Sequence, residues 1–406
     1  MTDVMKGIRV LEVAEHTFVP AASAVLADWG ADVIKIEHAE RGDALRGLGR
    51  TGVMKLGGDV HVINEHSNRG KRSLGLDLQN PEGLKVLYAL AATCDVFLTN
   101  KLPATLARLK IDVEDIRAHN PKIIYARGTS FGVRGPDANK GGYDMTGFWC
   151  RGGSASAVSP AELPGVLPQP APAYGDSMGG MTIAGGISAA LLKRERTGEP
   201  SVVDVSLLSM GAWAMSAAVA LSLQMKRAWS TPMPGGTGSF NPLVGTYETS
   251  DERYVCFVML QAAQYWEDVC EHLDRPDLAT DPRFADAEKL AANASEGVVI
   301  LREIFKTKTL AEWTERFQTL KGQWAPVQSS LEVADDPQVR ANGYMAKAAT
   351  SDGADFELVS TPVQFDEEPT PTQRAPDFNE HGDQILEEIG LDMERILALK
   401  ATGAVA

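Results

Sequence analysis

Residues 8–37 read IRVLEVAEHTFVPAASAVLADWGADVIKIE, and the fold turns on them. Residues 8–13 are a short run rich in β-formers, which reads as a strand. Residues 20–29 carry Ala, Val and Leu at helical spacing. Pro20 falls in the first turn, and Gly30 stands just past the end. Residues 32–37, DVIKIE, give a second strand. Strand, helix and strand within about 30 residues make a βαβ unit, so the sheet is parallel and its crossover right-handed.

The alternation extends outward. The pattern predicts an extended segment over 72–78, a helix over 81–92, a strand over 95–99, helices over 102–109 and 113–119, and a strand over 122–127. Together these make a doubly wound α/β domain. Residues 132–172 are rich in Gly, Ser and Pro and read as irregular loop. A helix over 177–196 holds Gly179, Gly180, Gly185 and Gly186. Each glycine costs about 1 kcal/mol relative to alanine, so the close approach of another backbone is expected. A strand over 202–206 and one long apolar helix over 207–224 follow. The texture changes near 228. Strands over 245–249 and 254–259, then helices to about 319, suggest a smaller α+β domain. The expected organisation is a large α/β domain over 1–224, a small one over 225–330, and a segment over 331–406 that returns to the first.

Composition narrows the function. The 406 residues suffice for two or three domains. Lys and Arg number 39 against 54 Asp and Glu, a net charge of −15, which argues against a nucleic-acid partner. No stretch approaches the roughly 20 uncharged apolar residues of a spanning helix, and no basic segment followed by an apolar one opens the chain. No membrane partner is expected. The four cysteines are far apart, without metal-ligand spacing, and fit a reducing cytoplasm.

Dinucleotide and P-loop signatures are absent. The first strand is followed by AEHTFVP (14–20) rather than G-x-G-x-x-G, and GKRS (70–73) lacks the upstream glycine. GTSFG (128–132) matches G-x-S-x-G. VRGP (133–136) follows it, which is turn chemistry where a nucleophile elbow needs a helix. Arg69, Lys71 and Arg72, with Arg46 and Arg108, form either a site for a phosphorylated ligand or a solvated loop. Asp176, between Gly175 and Ser177, reads as a helix N-cap or as a carboxylate nucleophile kept ionised by the helix dipole. His16 and His38 follow the first two strands, at the end of the sheet where such folds bind ligands. Asp144 lies in the loop segment, and no metal site is expected.

Several of these stretches carry a resemblance: residues 7–12, 30–37, 68–73, 120–125, 142–144, Asp176 with 195–198, and 203–207. The chain resembles the class III CoA-transferases, a family that includes formyl-CoA transferase, carnitine CoA-transferases and α-methylacyl-CoA racemase. The resemblance implies an interlocked homodimer whose large domain binds CoA. The substrates would be an acyl-CoA and a carboxylic acid, with no tightly bound cofactor. Asp176 stands at the catalytic aspartate, which would form an anhydride and then an aspartyl-CoA thioester. Thr17 stands where formyl-CoA transferase presents a glutamine in the first loop. Gly235, Gly236 and Gly238 resemble a mobile loop that shields the intermediate. His38 aligns with a CoA-contacting arginine, so Arg46, Lys71, Arg72, Arg108 and Tyr143 would share the recognition of CoA, with Asp144 as a polar partner. The racemase alternative needs a histidine base in the motif that here reads Tyr143-Asp144, and tyrosine is a poor base at neutral pH. A third alternative is an acyl-CoA-binding protein without turnover.

Overall fold

The computed structural model describes residues 3–50, 60–232 and 241–406. Contacts divide the chain into two compact units, Met1–Thr231 with Pro337–Ala406, and Pro232–Asp336.

The first unit is built on β1 (Arg9–Val13), α1 (Phe18–Asp28), β2 (Asp32–Glu37), α2 (Val62–Asn68), β3 (Arg72–Gly75), α3 (Pro81–Ala92), β4 (Val96–Thr99), α4 (Pro103–Leu109), α5 (Val113–His119), β5 (Ile124–Thr129), α6 (Ser154–Val158), α7 (Tyr174–Thr197) and β6 (Val202–Ser206). The six strands are parallel, in the order β3-β2-β1-β4-β5-β6. The order reverses direction between β1 and β4, so a crevice opens beyond their carboxyl ends. Both faces of the sheet are buried. Val10, Val33, Val96 and Ile124 pack under α1 and α7, while Leu11, Ile34, Phe97 and Tyr125 pack under α3, α5 and C-terminal helices. This two-sided burial is why the strands are continuous apolar runs.

One of the four glycines of α7, Gly180, has the expected reason; Gly179 and Gly186 meet the side chains of Phe18 and Val203, and Gly185 meets nothing within 4 Å. A Cβ on Gly180 would lie 2.6 Å from the Ala21 Cβ and 3.0 Å from backbone atoms of Ala21 and Ala22, so α1 and α7 meet nearly backbone to backbone. The C-terminal segment covers the edge strand. Val405 bridges to Leu76, the Ala406 N–H donates to the Gly75 carbonyl, and the His381 N–H donates to that of Ser73.

The structure corrects several expectations. α1 begins at Phe18, before Pro20. α7 begins at Tyr174, three residues before the expected start, behind Ala173 in a left-handed conformation (φ 57°). The expected loop over 132–172 contains a π-helix, Met145–Cys150, and α6. The expected long helix is two, α8 (Leu207–Ala214) and α9 (Ser216–Met225), bent by 65°. No single helix among the described residues is long and apolar enough to cross a membrane.

The second unit holds an antiparallel sheet, β7 (Val244–Glu248), β8 (Tyr254–Val258) and the unforeseen β9 (Trp324–Pro326), in that order. Helices cover it through an aromatic core of Tyr247, Phe257, Phe305, Trp313 and Phe317. Strands Met345–Ala349 and Asp355–Val359, also unforeseen, form a separate hairpin in the first unit. Gly235, Gly236 and Gly238 lie outside the described residues.

Candidate active site

The β1–β4 crevice is a cleft of about 940 Å³ lined by residues of the first unit. The turn after β1 forms one wall through Glu15, His16 and Phe18. Asn100 and Lys101, just past β4, form another, and Asp176 at the start of α7 closes a third. Five cations line the cleft, Arg41, Lys101, Arg108, Lys140 and Arg151, against the acids Glu15, Asp77 and Asp176. On a chain of net charge −15 this is a local reversal of sign suited to an anionic ligand. Lys101 and Arg41 share Glu15, and Arg151 pairs with Asp137. Arg108 and Lys140 have no ion pair among the described residues. Lys140 instead sits over the Phe131 ring, 5.8 Å from its centroid.

Asp176 occupies the third position of α7 and makes no capping bond. Its carboxyl has no hydrogen-bond partner among the described residues. Burial first, and then the charge of Asp144, push it up to about 8. Ala173 stands at the N-cap, so the N-cap reading is overturned, and burial and the Asp144 charge both work against the expectation that the helix dipole holds this carboxylate ionised. Gly175 beside it lets Phe148 pack close. A Cβ on Gly175 would lie 2.6 Å from the Phe148 ring.

Asp144 is buried, accepting from the Met145 N–H at 2.8 Å and from Gln169 Nε2 at 3.0 Å. It stands behind the cleft wall rather than in it and acts on Asp176 through its field. Tyr143 reaches into the cleft with its ring edge-on to His16, centroids 5.5 Å apart. His66 Nε2 lies 3.1 Å from the Oγ of Ser177, the residue after Asp176. Burial, then Arg69 and Lys71, lower its pKa to about 4, so it is neutral at neutral pH.

Of the expected ligand-binding residues, His38, Arg108 and Tyr143 line the cleft. The other three are committed elsewhere. Lys71 is fully buried, with Nζ 2.7 Å from Glu12 and 2.9 Å from the Pro20 carbonyl. Arg46 forms a two-pronged pair with Glu37 and also donates to the Pro376 carbonyl. Arg72 is shared by Asp32 and Glu388. Thr17 is buried as well; its hydroxyl accepts from Ser67 Oγ at 3.3 Å and does not face the cleft. Arg41, Lys101, Lys140 and Arg151 were missed. For Lys101 a signal existed, because it follows β4 directly at the point where the strand order reverses. Trp149 is core, donating to the Leu167 carbonyl.

No cluster of metal-ligating side chains occurs among the described residues. The geometry is a carboxyl without a hydrogen-bond partner among the described residues, in the wall of a cleft where cations outnumber acids. A model of the family described as CoA-transferase family III matches residues 5–382. The chain belongs to this family. It is 29% identical to the (R)-2-hydroxy-4-methylpentanoate CoA-transferase of Clostridioides difficile, over 99% of both chains. It is 32% identical to the succinate–glutarate CoA-transferase of Agrobacterium fabrum, over 95% of each. A CAIB/BAIF family protein from Brucella suis has a similar structure, with a TM-score of 0.79 at 26% identity, covering 96% of this chain and 100% of that one.

Proposed function

We propose that this member of CoA-transferase family III moves CoA from an acyl-CoA thioester to a carboxylic acid, with Asp176 as the covalent nucleophile. The observation that carries the reading is the Asp176 carboxyl, without a hydrogen-bond partner among the described residues, in the wall of a cleft lined by five cations. Two of the relatives named above are CoA-transferases by name, and this chain is read as moving CoA among carboxylic acids.

The ionised Asp176 attacks the thioester carbonyl of the donor. A C–O bond forms, the C–S bond breaks, and CoA leaves as thiolate, giving a mixed anhydride. The thiolate then attacks the aspartyl carbonyl and expels the donor carboxylate, leaving an aspartyl-CoA thioester. The acceptor carboxylate attacks that thioester, re-forming an anhydride and freeing CoA thiolate. Attack of the thiolate on the acceptor's acyl carbon yields the new acyl-CoA and restores Asp176. Each step exchanges one activated acyl bond for another, so no hydrolysis is needed. A carboxyl held near 8 is more basic, and hence a stronger nucleophile, than an ordinary one. Arg108 and Lys140 are read as holding the anionic parts of CoA, with Arg41 and Lys101 at the rim. His38 and Tyr143 are read as completing that wall, and the Gly235–Gly238 run as shielding the intermediate from water. In this reading the protein acts as a homodimer in the cytoplasm and needs no tightly bound cofactor. Acyl-CoA donors incubated with a panel of carboxylic acids should give new acyl-CoAs by mass spectrometry with wild type and none with Asp176→Ala. Equal yields from the two would remove Asp176 from the chemistry.

A further inference from the structure

Beneath the turn after β1 lies a cluster of charges that the reaction itself does not use. Parallel pairing sets Glu12 opposite Lys35 on the face of the sheet under α1. Both are fully buried, as are Lys71 and the Asp43 carboxylate. Lys35 Nζ lies 2.7 Å from Glu12 Oε1 and 2.7 Å from Asp43 Oδ2, and Lys71 Nζ lies 2.7 Å from Glu12 Oε2. Ser23 also donates to Glu12.

The cluster grips the main chain at three points. Lys35 donates to the Ala14 carbonyl at 3.1 Å, Lys71 donates to the Pro20 carbonyl at 2.9 Å, and Asp43 Oδ1 accepts the His16 N–H at 3.1 Å. The same Asp43 oxygen accepts the Leu45 N–H at 2.8 Å, which ties down the connection after β2. His16 is held at φ 66°, a left-handed conformation that a non-glycine residue adopts only when its surroundings enforce it. Ala14, Glu15, His16 and Phe18 are the residues of this turn that line the cleft.

We infer that Asp43 is a positioning residue, its carboxylate fixing the strained His16 backbone and with it the cleft wall that faces Asp176. A buried charge cluster is weak as a device for stability alone, because an apolar replacement of the same volume is often as stable. It is well suited to holding a turn in one conformation. The inference rests on the proposed transfer reaction, and its test separates the two.

The test compares two double variants with both buried charges removed. Lys35→Met with Asp43→Asn keeps a carbonyl oxygen to accept the His16 N–H; Lys35→Met with Asp43→Leu does not. Glu12 remains matched by Lys71 in both. At equal melting temperature, the Asn form should retain at least tenfold more kcat than the Leu form, with KM for acyl-CoA changed less than threefold between them. Equal kcat in the two would overturn the inference while leaving the transferase reading intact. Absence of CoA transfer by wild type would instead overturn that reading. A wild-type measurement covers the case in which the variants do not fold. By hydrogen exchange the His16 amide should exchange at least a hundredfold more slowly than an unprotected amide, and exchange at the unprotected rate would show that Asp43 does not hold it.

Discussion

Gly180→Ala should push α1 and α7 apart and move Asp176 with them. The added Cβ would sit 2.6 Å from the Ala21 Cβ, where carbon atoms normally approach to about 3.5 Å, so the helices must separate by about 1 Å. The two further contacts at 3.0 Å are with the backbone of Ala21 and Ala22, and no rotamer change relieves them. Overpacking of this kind costs about 1–3 kcal/mol, and the better helix propensity of alanine returns about 1 kcal/mol. The net is a loss of at most about 2 kcal/mol, read as a fall in Tm of at most about 4 °C. Gly185 on the same helix is the control, because a Cβ there meets nothing within 4 Å of this chain. Activity should suffer more than stability. Asp176 lies one turn before Gly180, and a displacement of about 1 Å at a reacting group can lower kcat about a hundredfold. Thermal melts and steady-state CoA transfer on the purified variant would decide it. A Gly180→Ala protein as stable and as active as wild type would refute the packing argument.

Three further outcomes follow from the site. The Asp176 carboxyl is pushed up to about 8 and its ionised form is the proposed nucleophile, so kcat/KM should rise with pH toward a plateau above about 8; Asp144→Asn removes one of the two causes and should move that inflection to lower pH, whereas an unmoved profile would exclude Asp144 as its source. The folded-state pKa lies above the unfolded one, so Asp176 withdraws stability progressively as pH rises from about 4 to about 8; Asp176→Asn should therefore raise Tm at neutral pH by the equivalent of about 2 kcal/mol, a figure reduced for solvent at the cleft mouth, with the gap closing near pH 4. Arg108→Ala and Lys140→Ala should each raise KM for acyl-CoA by about tenfold and weaken its salt dependence, with kcat nearly unchanged, and an unaffected KM would place the CoA anion elsewhere.

Local chemistry carried much of the fold. The βαβ opening, the helices Pro81–Ala92 and Val113–His119, and the strand Val202–Ser206 are each announced by their own residues, with Pro and Gly as punctuation. Asp176 draws attention by its place among small residues at the start of a Gly-rich helix. Long-range pairing was not legible. Lys71, Arg46 and Arg72 look like ligands in one dimension because nothing local says that Glu12 or Glu37 lies across the sheet, or that Glu388 returns from 316 residues away. Glu12 and Lys35 sit inside strands that read as apolar, and only the register sets them opposite each other. The start of α7 was obscured because Ala173, in a left-handed conformation, gives no capping signal, so Asp176 looked like the cap. The raised pKa of Asp176 depends on Asp144, 32 positions earlier, and on burial that no local pattern encodes.

The most direct measurement is to trap the covalent intermediate. Wild-type protein incubated with an acyl-CoA and then with hydroxylamine should gain a hydroxamate mass on the peptide carrying Asp176, and Asp176→Asn should gain none. If wild type turns over acyl-CoA while that peptide stays unmodified, Asp176 does not carry the acyl group and covalent transfer at this site is contradicted.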